Sequence, residues 1–179
     1  TSSTWQDNGI LNGGLLTPDS ALLGDFAVPT VTEDYFFLAG AQGTSGTLQL
    51  SGLNPAMTYN LSMFGTRNTA GTRTSAYSVT DVNGLHTVSL ITSGPNANSG
   101  TNPGNTSGND QTIVSLNGLV PNAAGQINLT LTIPDNGGFA YLGAMEITQG
   151  GIPSAVSQML IPDKTSGGWH LQFAATPGF

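Results

Sequence analysis

The sequence predicts an all-β fold, an antiparallel β-sandwich of the jelly-roll type. Apolar side chains recur at every second position in several short segments, which is the period of a half-buried strand. Turn residues such as Asn-Gly separate these segments at short intervals, and no stretch has the helical period. The chain has 179 residues, enough for one sandwich with its own core.

The first third of the chain is predicted to be a long loop followed by two short strands. Residues 1–34 hold scattered apolar residues interrupted by Asn-Gly, Gly-Gly and Thr-Pro, so we expect a long ordered loop with at most one short strand. Strands are predicted at residues 35–38 and 47–51, the second with Leu48 and Leu50 pointing inward.

The central stretch, residues 59–90, is predicted to form a strand, a loop and a hairpin. Its hairpin turn is placed at Asn83-Gly84 because both residues tolerate positive φ. Residues 93–110 contain one alanine among polar residues, glycines and prolines, which predicts a surface loop. Long loops of this kind often carry function.

The last strands of the sandwich are predicted at residues 112–116, 126–133 and 139–148. The second of these alternates most cleanly. The third is apolar on both faces, so we expect one central strand there. Residues 1–150 are therefore expected to form the sandwich module.

Residues 151–179 are predicted to be a separate tail with a final strand. In that strand Trp169, Leu171 and Phe173 alternate with His170 and Gln172. The apolar face of this strand needs a partner, since it would otherwise be exposed.

The composition excludes several classes of function. The net charge is −7 with only three Lys and Arg residues, whereas nucleic acids and anionic membranes are bound through cations. No apolar run is long enough to insert in a bilayer. Cysteine is absent, so disulfides and thiolate chemistry are excluded. The acidic, Lys-poor, Thr/Asn/Gly-rich chain is typical of secreted or cell-surface bacterial proteins, and we expect that location.

No catalytic residue is predicted. The sequence has no nucleophile elbow, zinc-helix motif, phosphate loop or dinucleotide fingerprint. His86 lies at the predicted hairpin and His170 alternates outward on the final strand. Both are expected to be surface or hydrogen-bonded histidines, and the chain is not expected to be an enzyme.

Arg67 and Arg73 are two of the three cations and lie between two central strands. Both share the parity of the inward side chains of a neighbouring strand. One alternative is a structural pair with a carboxylate such as Glu146 or Asp34. The other is direct contact with a hydroxyl or acid group of a glycan.

Further residues are candidates for ligand or metal binding. Aromatic faces stack on sugars, although core burial is the favoured expectation for each candidate: Trp5, Tyr35, Tyr77, Tyr141 and Trp169. The predicted ligand-binding residues are Trp5, Arg67, Arg73, Asn105 and Asp110. No cofactor is expected, except that carboxylates with nearby carbonyls suit a structural calcium ion. The carboxylates considered are Asp25, Glu33, Asp34, Asp110 and Asp135.

Several motifs between residues 50 and 147 carry a family resemblance. They are Ser-Gly-Leu-Asn-Pro at 51–55, Tyr-x-Leu-x-x-Phe-Gly-x-Arg at 59–67, Arg-Thr-x-x-Tyr-x-Val at 73–79, Pro-x-x-x-Gly-x-Ile at 121–127 and Gly-Phe-x-Tyr-Leu-Gly-Ala-x-Glu-Ile at 138–147. This pattern resembles β-sandwich modules of secreted and surface proteins of environmental bacteria. Such modules are similar to galactose-binding and malectin-like jelly rolls, so the resemblance implies a non-catalytic sandwich, in many cases a carbohydrate-binding one.

The chain departs from this family at its start. Trp5 resembles the tryptophan that opens such modules, but the short apolar strand that usually precedes it has no counterpart in the sequence. The resemblance therefore implies an incomplete sandwich with an open groove and two bare edges. The tail strand would fill the gap of its own chain or that of the next copy.

Two hypotheses follow. In the first, the chain is a structural subunit that assembles with copies of itself into a fibre or surface layer, with Trp169, Leu171 and Phe173 as the assembly strand. In the second, it is a carbohydrate-binding module of a larger secreted protein, and its partners are extracellular glycans.

Overall fold

The computed structural model describes residues 5–7, 12–97, 107–151, 163–165 and 168–170. Within these ranges the chain is built mainly of antiparallel strands, which confirms the predicted fold class. The strands are β1 (Gln6–Asp7), β2 (Phe36–Ala39), β3 (Ser45–Leu50), β4 (Tyr59–Phe64), β5 (Arg73–Asp81), β6 (Gly84–Ser93), β7 (Val114–Leu119), β8 (Ile127–Thr132), β9 (Phe139–Leu142), β10 (Ala144–Gln149), β11 (Asp163–Thr165) and β12 (Gly168–His170).

Two sheets form the sandwich. The first has the strand order β3-β8-β5-β6 and the second has the order β10-β4-β7. A third, smaller sheet has the order β1-β2-β9. The turn between β5 and β6 is at Val82-Asn83, one residue before the predicted Asn83-Gly84, and Gly84 pairs with Asp81 and adopts a positive φ of 114°.

The main core lies between the first and second sheets. Alternate side chains of β4, β5 and β8 point into it, and burying each large apolar side chain stabilises the fold by about 1.5–3 kcal/mol. The central members of this core are Leu61, Met63, Tyr77, Val79, Leu129 and Leu131.

The N-terminal segment contains short helices, so the expectation of a loop without helix is wrong. These are α1 (Ser20–Leu23), a 3-10 turn (Gly24–Phe26) and α2 (Pro29–Thr32). Asp19 caps α1 by accepting the Ala21 N–H at 2.8 Å, and Pro29 begins α2 with its φ already helical. Single turns are too short to show a helical period. They bury Leu15, Leu23 and Phe26 against Phe64 and Ala144.

The stretch predicted as one central strand at residues 139–148 is two strands in different sheets. β9 belongs to the third sheet, whereas β10 is the outermost described strand of the second. The break falls at Gly143, whose N–H donates to the Phe64 carbonyl at 2.9 Å. A Cβ at this position would lie 3.3 Å from the Asp34 carbonyl oxygen, so the crossing point has little room for a side chain.

The described part of the tail forms a hairpin of its own. β11 and β12 pair with each other, with Lys164 opposite Trp169, and neither pairs with a described strand of the sandwich. Trp169 therefore lies in a strand, while Leu171 and Phe173 fall outside the described residues. Among the described residues, no helix has the length and apolar character needed to cross a membrane.

Candidate functional site

An apolar groove, here termed the edge groove, lies between the first and second sheets. Its mouth is bordered by β3 and β10, each of which has only one described strand neighbour. The groove encloses about 350 Å³. Its described lining is uncharged and consists of Trp5, Phe36, Thr47, Leu48, Leu142, Gly143, Ala144 and Met145.

The sandwich is open on this side because no described strand bridges β3 and β10. On the opposite side β6 and β7 are close neighbours and close the gap between the sheets. On the open side Leu48 is 37% exposed and Phe36 is 55% exposed. Leu48 has the inward parity that was predicted, yet it is not buried, because no described strand covers the face that it shares with Leu50.

The β3 edge has little protection against pairing. Natural edge strands are usually blunted by charges, prolines or bulges, but β3 reads Ser-Gly-Thr-Leu-Gln-Leu. β10 carries one charge, at Glu146. The indole Nε1 of Trp5 donates to the Thr47 carbonyl at 3.3 Å, so Trp5 covers one point of the β3 edge.

A second candidate surface, here termed the arginine–aromatic cluster, lies on the other face of the third sheet. It consists of Tyr35, Phe37, Arg67, Arg73, Phe139 and Tyr141. Phe37 is directly opposite Tyr141 in the sheet, while Phe36 and Leu142 are opposite each other and face the edge groove. The two candidate surfaces are therefore separated by the thickness of one sheet.

Both arginines are held by aromatic side chains. The Arg73 guanidinium lies 4.1 Å from the centre of the Phe139 ring, in cation–π contact, and its Nη1 donates to the Tyr141 hydroxyl. Nη1 of Arg67 donates to the Tyr35 hydroxyl at 2.6 Å and to the Asn12 carbonyl.

None of the described hydrogen bonds joins either arginine to the two carboxylates named in the prediction, Asp34 and Glu146. Asp34 instead accepts the N–H of Tyr35 at 2.7 Å, and Glu146 lies on the edge strand β10. The parity argument placed the arginines correctly at the rim of the sandwich. It did not reveal that the aromatic face of the third sheet lies there.

Two tyrosines connect the cluster to the core. Burial raises the pKa of Tyr77, and burial also raises the pKa of Tyr141 although Arg73 opposes this shift. The Tyr77 hydroxyl donates to the Tyr141 carbonyl at 2.5 Å, and the Tyr141 N–H donates to Ser75 Oγ at 2.7 Å. The predicted core positions of Tyr77 and Tyr141 are confirmed, and Tyr35 is also buried.

The loop predicted at residues 93–110 is not a surface loop at its described ends. Ser93 pairs with Gly108 in an isolated bridge, and Asn109 is fully buried with its amide donating to the Gly65 and Thr112 carbonyls. Asp110, predicted to contact a ligand, is also fully buried. Asn105 lies outside the described residues.

His86 is hydrogen-bonded, as predicted. Its Nε2 lies 3.0 Å from Asp81 Oδ1, and the Asp81 side chain is only 2% exposed. Burial on its own would raise the pKa of Asp81, but hydrogen bonds from the Val120 and Asn83 N–H groups and from His86 lower it overall. The sequence held a signal for this pair, because a hairpin at Asn83-Gly84 brings Asp81 and His86 onto neighbouring strands.

We expect the substitution Asp81→Asn to lower the free energy of unfolding by about 1–3 kcal/mol at pH 7. A carboxyl whose folded pKa is lowered stabilises the fold fully above its ordinary pKa of 3.8 and loses that contribution as the pH falls through the folded value. The difference in the free energy of unfolding between wild type and the variant should therefore shrink below pH 4. Urea unfolding at several pH values measures it, with the exposed Asp25→Asn as control. An unchanged difference at acid pH would contradict the assignment.

The predicted acidic residues do not form a described metal site. Within the described ranges, no group of three acidic or histidine side chains is placed to hold a metal ion. A structural calcium ion remains a prediction.

Three structural features of these surfaces were not predicted from the sequence. Phe36 was not recognised as part of a groove, and Phe37 and Phe139 were not recognised as partners of the arginines. The available signal was parity: Phe36 and Phe37 must face opposite sides of one strand.

Comparison with known proteins gives structural similarities only. No protein-family model matches the chain, and no curated protein matches it. A carbohydrate-binding module, TmCBM61, solved in complex with β-1,4-galactotriose, is 14% identical, with 83% of this chain and 90% of that chain covered and a TM-score of 0.43.

Two larger proteins are also similar. They are the enzymatically active domain of tailspike protein 4 of bacteriophage CBA120 and the arabinose-bound α-L-arabinofuranosidase MgGH51. The tailspike domain is 15% identical with a TM-score of 0.37, and 82% of this chain covers 19% of that one. The arabinofuranosidase is 8% identical with a TM-score of 0.39, and 82% of this chain covers 23% of that one. Because all three TM-scores are below 0.5, we draw no functional conclusion from these similarities.

Proposed function

We propose that the chain is a non-catalytic extracellular subunit that assembles with copies of itself by β-strand complementation, forming a fibre or surface layer. The observation that carries this proposal is the edge groove, an apolar gap between two sheets whose bordering strands, β3 and β10, each have one described strand neighbour.

The chemistry of the groove favours an extended polypeptide strand. An added strand would hydrogen-bond along β3 or β10, place alternate apolar side chains in the groove and leave its polar side chains in water. Sites for sugars combine apolar surface with several well-placed polar groups. The edge groove has an uncharged, mainly apolar lining, which matches a strand better than a sugar.

The tail of a second copy is the occupant that we propose. Trp169, Leu171 and Phe173 alternate with polar residues, which is the pattern that such a strand needs. In the described part of the chain, β12 pairs with β11 and not with β3 or β10 of its own sandwich. Because β11 is its one described strand neighbour, we propose that the other edge of β12 pairs with another copy. The low charge content of the chain leaves little repulsion between neighbouring edges.

Replacing Leu48 by Glu tests the proposal, because a carboxylate in the groove would lose its water when a strand binds. We expect the wild-type protein to form filaments by negative-stain electron microscopy and the variant to remain monomeric by light scattering. The matched control is Ile91→Glu, since Ile91 is 38% exposed and lies on β6, away from the groove lining.

Thermal unfolding must show that both variants are folded. A wild-type protein that stays monomeric at high concentration would contradict the proposal. Filaments formed equally well by the Leu48 variant would also contradict it.

Carbohydrate binding is the second candidate function, and the arginine–aromatic cluster favours it. In the cluster, partly exposed aromatic rings lie beside charged hydrogen-bond donors, whereas the described lining of the groove is uncharged. A panel of oligosaccharides that includes β-1,4-galactotriose tests this function by calorimetry. Binding that survives Leu48→Glu would assign sugars to a surface other than the groove.

A further inference from the structure

We propose that the arginine–aromatic cluster binds the carboxylate of an acidic sugar, such as a hexuronate at the end of or within a glycan. This inference rests on the second candidate function and names its class of ligand. It uses the opposite face of the third sheet from the edge groove, so it is independent of assembly.

Positive charge is scarce in this chain and is concentrated in the cluster. The chain has a net charge of −7 and three cations, and two of those cations lie in this one cluster. The contacts described for Arg67 and Arg73 go to hydroxyl, amide and carbonyl oxygens and to ring faces. None of these described contacts is with a carboxylate, so the two guanidinium groups form a positively charged site that can attract an anion to an acidic protein.

Arg73 has N–H donors that none of its described hydrogen bonds uses. A guanidinium has five N–H donors in one plane. The hydrogen bonds described for both arginines use Nη1 alone, which leaves the Nε and Nη2 donors of Arg73 for a ligand. A carboxylate can accept two parallel hydrogen bonds from such an edge, which an uncharged hydroxyl cannot do.

Apolar aromatic surface lies beside the cations. Phe37 and Phe139 are partly exposed, and their ring centres are 6.2 Å apart. The Arg73 guanidinium lies against the Phe139 ring. Flat aromatic faces suit the apolar face of a pyranose ring, whereas the flexible side chain of an acidic peptide gains little from them. The cluster therefore favours a uronate over an acidic polypeptide.

The wild-type protein can test this by calorimetry with four probes. They are a trigalacturonate, its methyl ester, β-1,4-galactotriose and a glutamate peptide of the same charge as the trigalacturonate. Hydrogen bonds to a charged group contribute enough for the free acid to bind about 10- to 100-fold more tightly than the ester. The peptide should bind more weakly than the trigalacturonate.

Several results would overturn the inference. Equal affinity for acid and ester, a peptide that binds as tightly as the sugar, or no binding of the acid would each do so. If the neutral galactotriose binds and the trigalacturonate binds no more tightly, carbohydrate binding is supported and the preference for an acidic sugar is overturned. If no sugar binds, both fail, while assembly through the edge groove remains open to its own test.

Substitution of the arginines adds a second readout. Arg73→Gln should weaken trigalacturonate binding about tenfold or more, and Arg73→Lys should retain part of it because the charge remains. The matched control is Lys164→Gln, which removes the same charge from the separate β11–β12 hairpin and should leave affinity unchanged. An equal loss in the control would mean that net charge alone attracts the ligand and would overturn the inference. If the Gln variant does not fold, the acid and ester comparison still decides.

Discussion

Replacing Leu131 by Ala is expected to lower the free energy of unfolding by about 2–5 kcal/mol. Leu131 is fully buried on β8, the strand that pairs with both β3 and β5. Its neighbour across the sheet on β3 is Gly46, which has no side chain to move into the space that the substitution opens. We therefore expect a cavity that the surroundings fill only in part.

The matched control is Leu85→Ala. Leu85 is 70% exposed at the start of β6, so its truncation should change the free energy by at most about 0.5 kcal/mol. Chemical unfolding in urea measures both variants. Equal effects of the two substitutions would contradict the placement of β8 at the centre of the core.

Strand positions could be predicted where one face of a strand is buried. In β8 the apolar residues at 127, 129 and 131 alternate with polar ones, and the structure buries that face. The hairpin was predictable to within one residue because few residues other than glycine adopt the backbone conformation of Gly84. In both cases the information is local.

Features that depend on distant contacts could not be predicted. The break at Gly143 depends on its hydrogen bond to Phe64, which lies in another strand. The exposure of Leu48 depends on the absence of a covering strand among the described residues, whereas parity determines only which face a side chain is on. The single helical turns before residue 34 depend on caps and on packing against Phe64.

In the candidate sites, too, local features could be predicted and features that depend on distant contacts could not. The scarcity of cations and their parity marked Arg67 and Arg73 as unusual, and the structure places both in one cluster. Their partners could not be predicted, since Tyr35 and Tyr141 are brought together by the pairing of β2 with β9 across about a hundred residues. The groove was implied by a family resemblance, but its bordering strands follow from the sheet order.

Strand exchange between copies can be measured directly by disulfide trapping, because the chain has no cysteine of its own. One protein would carry Leu48→Cys in the edge groove. Partner proteins would carry a single cysteine at position 169, 171 or 173, in place of Trp169, Leu171 or Phe173. Alternate residues are spaced about 7 Å apart along a strand, so one of the three should come within disulfide reach.

We predict that mixing the Leu48→Cys protein with one of these partners under mild oxidation gives a mixed disulfide-linked dimer, one copy of each protein, on a non-reducing gel. A partner with His170→Cys is the parity control and should give much less, since that side chain would point away from the groove. The contradictory result is no mixed dimer with any partner, together with an internal disulfide when both cysteines are placed in one chain. That outcome would mean that each chain fills its own groove.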